Sequence, residues 1–211
     1  SATIAYDTGT PSFLSLKESY FGTSAERALP VNIPDLLEAK RQFFHYAMFI
    51  HQDTNSLLGS GYGDRPGNDI VISLGGGFVG HVGSNDQQAG TLMHEIGHNL
   101  GLDHGGNNAD NCKPNYPSVM NYLFQFDKDN GGYVKDRPLD FSRTTYAQIV
   151  QSALREDIVS MSGSPVRNST IGGFDGSHPI PIGFTPTVNA TGTKIDWNRN
   201  GLAAGTYSQN V

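Results

Sequence analysis

Apolar positions along the chain fall into a few patterned stretches separated by turn-forming residues. In "PDLLEAKRQFFHYAMFIHQ" (Pro34 to Gln52), Pro34 stands where a first helical turn tolerates it, and Leu36, Leu37 and Ala39 continue as a helix. Near Phe43 the pattern becomes aromatic and alternating, which makes the last part a candidate strand. "NDIVISLGGG" (Asn68 to Gly77) is a short β-branched run closed by glycines, the signature of a strand. Gly75 to Gly77 are read as a turn in preference to a point of close backbone approach. "SNDQQAGTLMHEIGHNL" (Ser84 to Leu100) opens on candidate caps, and Leu92, Met93, Ile96 and Leu100 then follow at helical spacing. A further helix is predicted over Thr144 to Met161, with Tyr146, Ile149, Val150 and Leu154 on one face. Between these last two helices "GGNNADNCKPNYPS" is dense in Gly, Asn and Pro, and from Ser162 to Val211 turn residues predominate. The order is that of an α+β protein with an irregular C-terminal half, and it contains no internal repeat.

Length and composition narrow the classes. With 211 residues the chain is read as one domain, and 26 Gly and 11 Pro make it loop-rich. Its net charge of -6 comes without a basic cluster, so no face is built for phosphate and nucleic acid is not an expected partner. No apolar run is long enough to cross a bilayer, and "SATIAYDTGT" lacks the regions of a signal peptide. The single cysteine, Cys112, excludes an intramolecular disulfide and is read as a small buried residue before a metal ligand or redox thiol. Asn168 and Asn189 head acceptor sequons, which matter only in a glycosylating host.

Chemistry concentrates in "MHEIGHNLGLDH" (Met93 to His104). His94 and His98, four apart on a helix, project from one face, with Glu95 beside them. Gly101 breaks the helix, so that His104 can return to the same centre. Three imidazoles suit Zn²⁺ and leave a fourth position for water, which separates a catalytic zinc site from a closed structural one. Shuffling this composition almost never produces the pattern, so the spacing rather than any single histidine carries the inference. His45, His51, His81 and His178 are read as structural or surface residues.

The extended His-Glu-x-x-His-x-x-Gly-x-x-His motif, followed by "SVMNY" within "NYPSVMNYLFQF" (Asn115 to Phe126), resembles the metzincin zinc metalloproteases over about Thr91 to Tyr122. The resemblance implies a mixed twisted sheet with a backing helix and the active-site helix in an N-terminal subdomain (1–104). A C-terminal subdomain with the Met-turn (105–211) then lies beneath a cleft. It implies His94, His98 and His104 as ligands of one catalytic zinc ion, and Glu95 as the general base acting on metal-bound water. Met120 becomes the apolar floor under the metal, and Tyr122 a hydroxyl that helps to stabilise the tetrahedral intermediate. Metzincins bind peptides extended along an exposed strand, for which "DIVISLGGG" supplies a candidate sheet strand.

The subfamily is marked by a departure. Gly105 and Gly106 follow His104, where astacins and serralysins carry glutamate, snapalysins and adamalysins aspartate, and matrixins serine. Tyr122 is similar to pappalysin-like enzymes, and the Gly-Gly pair, "NCKPNYPSVMNYLFQF" and "LDFSR" (Leu139 to Arg143) resemble a group of secreted metalloproteases. The expectation is therefore a secreted, monomeric zinc endopeptidase acting on protein or peptide substrates. A non-peptidase zinc hydrolase and an inactive zinc-binding module are the alternatives, the presence of Glu95 weighing against the second. Structural Ca²⁺ is a secondary candidate at "DWNRNG" (Asp196 to Gly201) and "DKDNGG" (Asp127 to Gly132), though both lack a closing glutamate and are read first as metal-free turns.

Overall fold

The run Ile70-Val71-Ile72 lies at the middle of a mixed three-stranded sheet. The computed structural model describes residues 3–4, 12–30, 32–53, 59–75, 82–111, 113, 116–132, 137–143, 154–155 and 206–207. The chain forms two compact units, Ser1–Gly101 and Leu102–Val211.

In the first unit the elements run β1 (Thr3–Ile4), α1 (Phe13–Tyr20), α2 (Ser24–Arg27), α3 (Ile33–Arg41), β2 (Tyr46–Ile50), β3 (Gln52–Asp53), β4 (Gly61–Gly63), β5 (Asp69–Ser73) and α4 (Asn85–Asn99). The predicted change from helix to strand after Phe43 is present as α3 followed by β2. Strand β5 is central, parallel to β2 (Tyr46 opposite Asp69, Ile50 opposite Ser73) and antiparallel to β4 (Gly61 opposite Ile72, Gly63 opposite Ile70). All five of its residues are buried, which explains a continuous apolar run in place of an alternating one. A separate parallel pair joins β1 to β3.

Ile70, Ile72 and Leu74 pack against Leu92 and Ile96 of α4, so the apolar stripe predicted for that helix is its sheet-facing side. Leu100, placed on the same stripe by its spacing, is instead 62% exposed just past the helix end. The start of α4 is held by a capping box: Gln87 N donates to Ser84 Oγ at 3.2 Å, and Ser84 N to Gln87 Oε1 at 2.8 Å. At the other side of β5, Lys17 of α1 pairs with Asp69, both side chains being nearly buried, under the rings of Phe21 and Tyr46. Gly75 lies in a turn, as expected, where its N–H donates to His51 O at 2.6 Å and a Cβ would sit 2.1 Å from the same oxygen; Gly76 and Gly77 lie outside the described residues.

Among the described residues the second unit contains α5 (Tyr122–Gln125), a 3-10 turn (Lys128–Asn130), and a short antiparallel pair of β6 (Leu154–Arg155) with β7 (Thr206–Tyr207). Among the described residues, Val119, Met120, Leu123 and Phe124 are fully buried apolar side chains in this unit. The helix expected over Thr144 to Met161 lies outside the described residues except at Leu154 and Arg155, which are extended and paired with a strand some fifty residues on. Cys112, His81, His178, the two sequons and "DWNRNG" also lie outside them. The "DKDNGG" loop closes on its own chain: Asp127 Oδ1 accepts from Asp129 N at 3.0 Å, Asp127 O accepts from Asn130 N and Gly132 N, and Gly131 is left-handed. This is the hydrogen-bonded turn that its composition favours.

Candidate metal centre and active site

The centre is carried by one helix end and the turn that follows it. His94 and His98 are one turn apart on α4, with ring centroids 4.8 Å apart and nearly perpendicular planes. After Asn99 the helix stops: Gly101 N donates to His98 O at 2.8 Å and Gly101 takes φ +90°, a conformation a side chain would strain. The chain then closes a tight turn, with Asp103 N donating to Gly106 O at 2.8 Å and Gly106 N to Asp103 O at 2.9 Å. His104 is at the tip of that turn. One nitrogen from each of His94, His98 and His104 lies within 4.8 Å of the others, the convergence expected from the sequence spacing.

The donor chemistry of this cluster fits a divalent metal. Three neutral imidazoles make a borderline ligand set that suits zinc and leaves coordination positions to non-protein ligands. His94 is 2% exposed while His98 and His104 are half-buried.

Glu95 is 4% exposed, and burial pushes its carboxyl up to about 8. Its surroundings are set by β4. A Cβ on Gly61 would stand 2.8 Å from Glu95 Oε1, 2.7 Å from Thr91 Cγ2 and 2.6 Å from Val71 O; one on Gly63 would stand 2.7 Å from Glu95 O and 3.1 Å from Oε2. The two glycines let the strand backbone lie directly on the carboxylate. Strands β4 and β2 are the two outer strands of the sheet, and β5, the strand predicted at "DIVIS", is paired on both sides between them.

Tyr122 opens α5 and lies against His104, ring centroids 4.6 Å apart. Met120 is fully buried in the turn just before it. That turn is pinned from several sides: Asn121 N donates to Ser118 O, Val119 N to Asp140 O, and Asn121 Nδ2 to Lys113 O at 2.6 Å and Tyr116 O at 3.0 Å. Asp140 belongs to the "LDFSR" stretch, whose role is thus to hold the Met120 turn through a backbone carbonyl.

Sequence reasoning missed Gly61, Gly63 and Asn99. Asn99 Nδ2 donates to Asp64 O at 2.9 Å and Asp69 O at 3.1 Å, fastening the end of α4 to the sheet. With both amide hydrogens committed, its Oδ1 faces His45 Nδ1 at 2.8 Å, so that ring nitrogen carries the proton. His45 is structural, as expected.

Three clustered imidazoles mark a site able to hold a metal ion. Residues 42–195 match the family model for Peptidase M66, so the chain belongs to that family, one of zinc metallopeptidases. The match takes in β2, β4, β5, α4 and the Met120 turn. No curated protein and no solved structure matches the chain.

Proposed function

We propose that the protein is a secreted zinc endopeptidase of metzincin type, with His94, His98 and His104 as ligands and Glu95 as general base. The convergence of three imidazole nitrogens within 4.8 Å of one another, in a Peptidase M66 chain, carries the reading. Membership of a peptidase family favours it over the non-peptidase hydrolase and the inactive module.

Zinc held by His94, His98 and His104 would supply Lewis acidity toward water and the scissile carbonyl. Glu95 takes the proton from the attacking water and later delivers it to the leaving amine. Its dry setting raises its affinity for that proton, and the nearby dication would lower it again, leaving a base that works near neutrality. The β4 glycines keep the carboxylate in one place by contact with its atoms. Tyr122, held against His104, donates its hydroxyl to the oxygen on which charge develops. An extended peptide lies along β4, an outer strand of the three-stranded sheet and the one next to Glu95.

Dialysis against a strong chelator, followed by stepwise return of zinc, tests the proposal. Peptide cleavage should vanish and return with one equivalent of metal. Cleavage that survives complete zinc removal would contradict it.

A further inference from the structure

The loop after His104 is built around an ammonium group. Lys113 Nζ donates to Asn108 Oδ1 at 2.7 Å and to Gly105 O at 3.4 Å, with Asp110 Oδ2 3.9 Å away. The backbone folds around the same atoms: Gly105 N donates to Asn108 O at 2.9 Å, and Asp110 N to Asn108 Oδ1 at 3.2 Å. An Asn/Asp/Gly loop of this kind is what a bound cation commonly organises, and here the cation belongs to the chain.

Gly105 is required by that arrangement. A Cβ there would stand 2.2 Å from Asn108 Oδ1, 2.4 Å from Asp110 O and 2.6 Å from Lys113 Nζ. This accounts for glycine directly after the third histidine, where other metzincins carry Glu, Asp or Ser.

The same lysine reaches the other side of the centre through its backbone. Lys113 O accepts from Asn121 Nδ2 at 2.6 Å, and Asn121 Oδ1 accepts from Leu123 N at 3.1 Å, capping the helix that Tyr122 opens. Nearby, Asn111 Oδ1 accepts from Tyr122 N at 3.0 Å. Lys113 thus stands between Gly105, next to His104, and Asn121, next to Tyr122.

Building on the zinc-site reading above, we propose that Lys113 is a positioning residue: its ammonium is a built-in cation that fixes the 105–113 loop and, through it, His104 and Tyr122. The test compares wild type with Lys113→Met, which keeps most of the stem and loses the charge, and with Lys113→Ala. Zinc affinity is read by competition with a chromophoric chelator, and kcat and KM on a peptide substrate.

The expected result for Lys113→Met is zinc binding weakened about tenfold and kcat lowered by a similar factor, with KM within about twofold. Lys113→Ala should show the same losses and recover in part with propylammonium, which replaces the missing stem and charge, but not with sodium at equal ionic strength. A folded Lys113→Met with wild-type zinc affinity and kcat overturns the proposal, as does a Lys113→Ala loss that propylammonium leaves unchanged. If Lys113→Met does not fold, Lys113→Arg decides: zinc affinity close to wild type supports a charge-based role and a tenfold loss overturns it. Failure of wild type to cut any peptide would defeat the peptidase reading alone, because the zinc-affinity arm still reports on Lys113.

Discussion

Replacing Asn99 by alanine removes the fastening between the helix that carries His94 and His98 and the sheet. The wild-type side chain is 5% exposed and makes three hydrogen bonds, two donated to Asp64 O and Asp69 O and one accepted from His45 Nδ1. Asp69 O keeps a second donor, Asp64 N at 3.1 Å, and the exposed His45 can turn to water. Asp64 O loses its Asn99 donor. Asp64 is only partly buried, so each of the three lost bonds costs about 0.5–1 kcal/mol net. The expected destabilisation is about 2 kcal/mol, which for a chain of this length lowers the melting temperature by about 4–8 °C. Urea unfolding followed by circular dichroism measures it, with zinc content recorded in parallel. Asn99→Asp should be no better at neutral pH, because it turns an oxygen toward two carbonyls. A loss below about 0.5 kcal/mol for Asn99→Ala would refute the idea that this residue anchors the helix end.

Three further outcomes follow from the same geometry. Gly61→Ala should cost about 1–3 kcal/mol and lower kcat more than KM changes, since the methyl meets Val71 O and the Glu95 carboxylate; unaltered turnover would show that β4 does not hold the base. Lys17→Met leaves Asp69 buried without its partner and should cost about 3–5 kcal/mol at neutral pH. Burial already raises the Asp69 carboxyl, so this deficit should shrink on acidification as the group takes up a proton, and a pH-independent deficit would contradict the assignment. In the metal-free protein Glu95 is raised from 4.5 to about 8, so folding stability should fall as pH rises through that interval, by at most roughly 5 kcal/mol, and the Glu95→Gln variant should lack the slope in denaturation curves.

Local elements were legible where local chemistry decides them. Ser84, the Leu92–Ile96 spacing and Gly101 define α4 and its end, and the His-Glu-x-x-His spacing brings the metal cluster together because both follow from helical geometry. The switch from α3 to β2 near Phe43 and the buried strand β5 were equally visible. Non-local pairing was not. "GYG" has no apolar run, so nothing in it announces a sheet edge lying on Glu95. Tyr146, Ile149, Val150 and Leu154 are spaced as on a helix, yet Leu154 is extended because its partner strand lies at Thr206–Tyr207. Nothing in the oxygen-rich residues from Gly105 to Asp110 announces that the Lys113 ammonium returns to Asn108 and Gly105 from further along the chain.

The central claim is hydrolysis of peptide bonds by a zinc-histidine centre with Glu95 as base. It is tested most directly by incubating a diverse peptide mixture with zinc-loaded wild type and zinc-loaded Glu95→Gln, and identifying products by mass spectrometry. Internal cuts from wild type, reduced at least about a thousandfold in the variant at equal zinc content, are the predicted result. Cuts made equally by both proteins would remove Glu95 from the mechanism, and the absence of cuts from wild type would contradict the assignment as an endopeptidase.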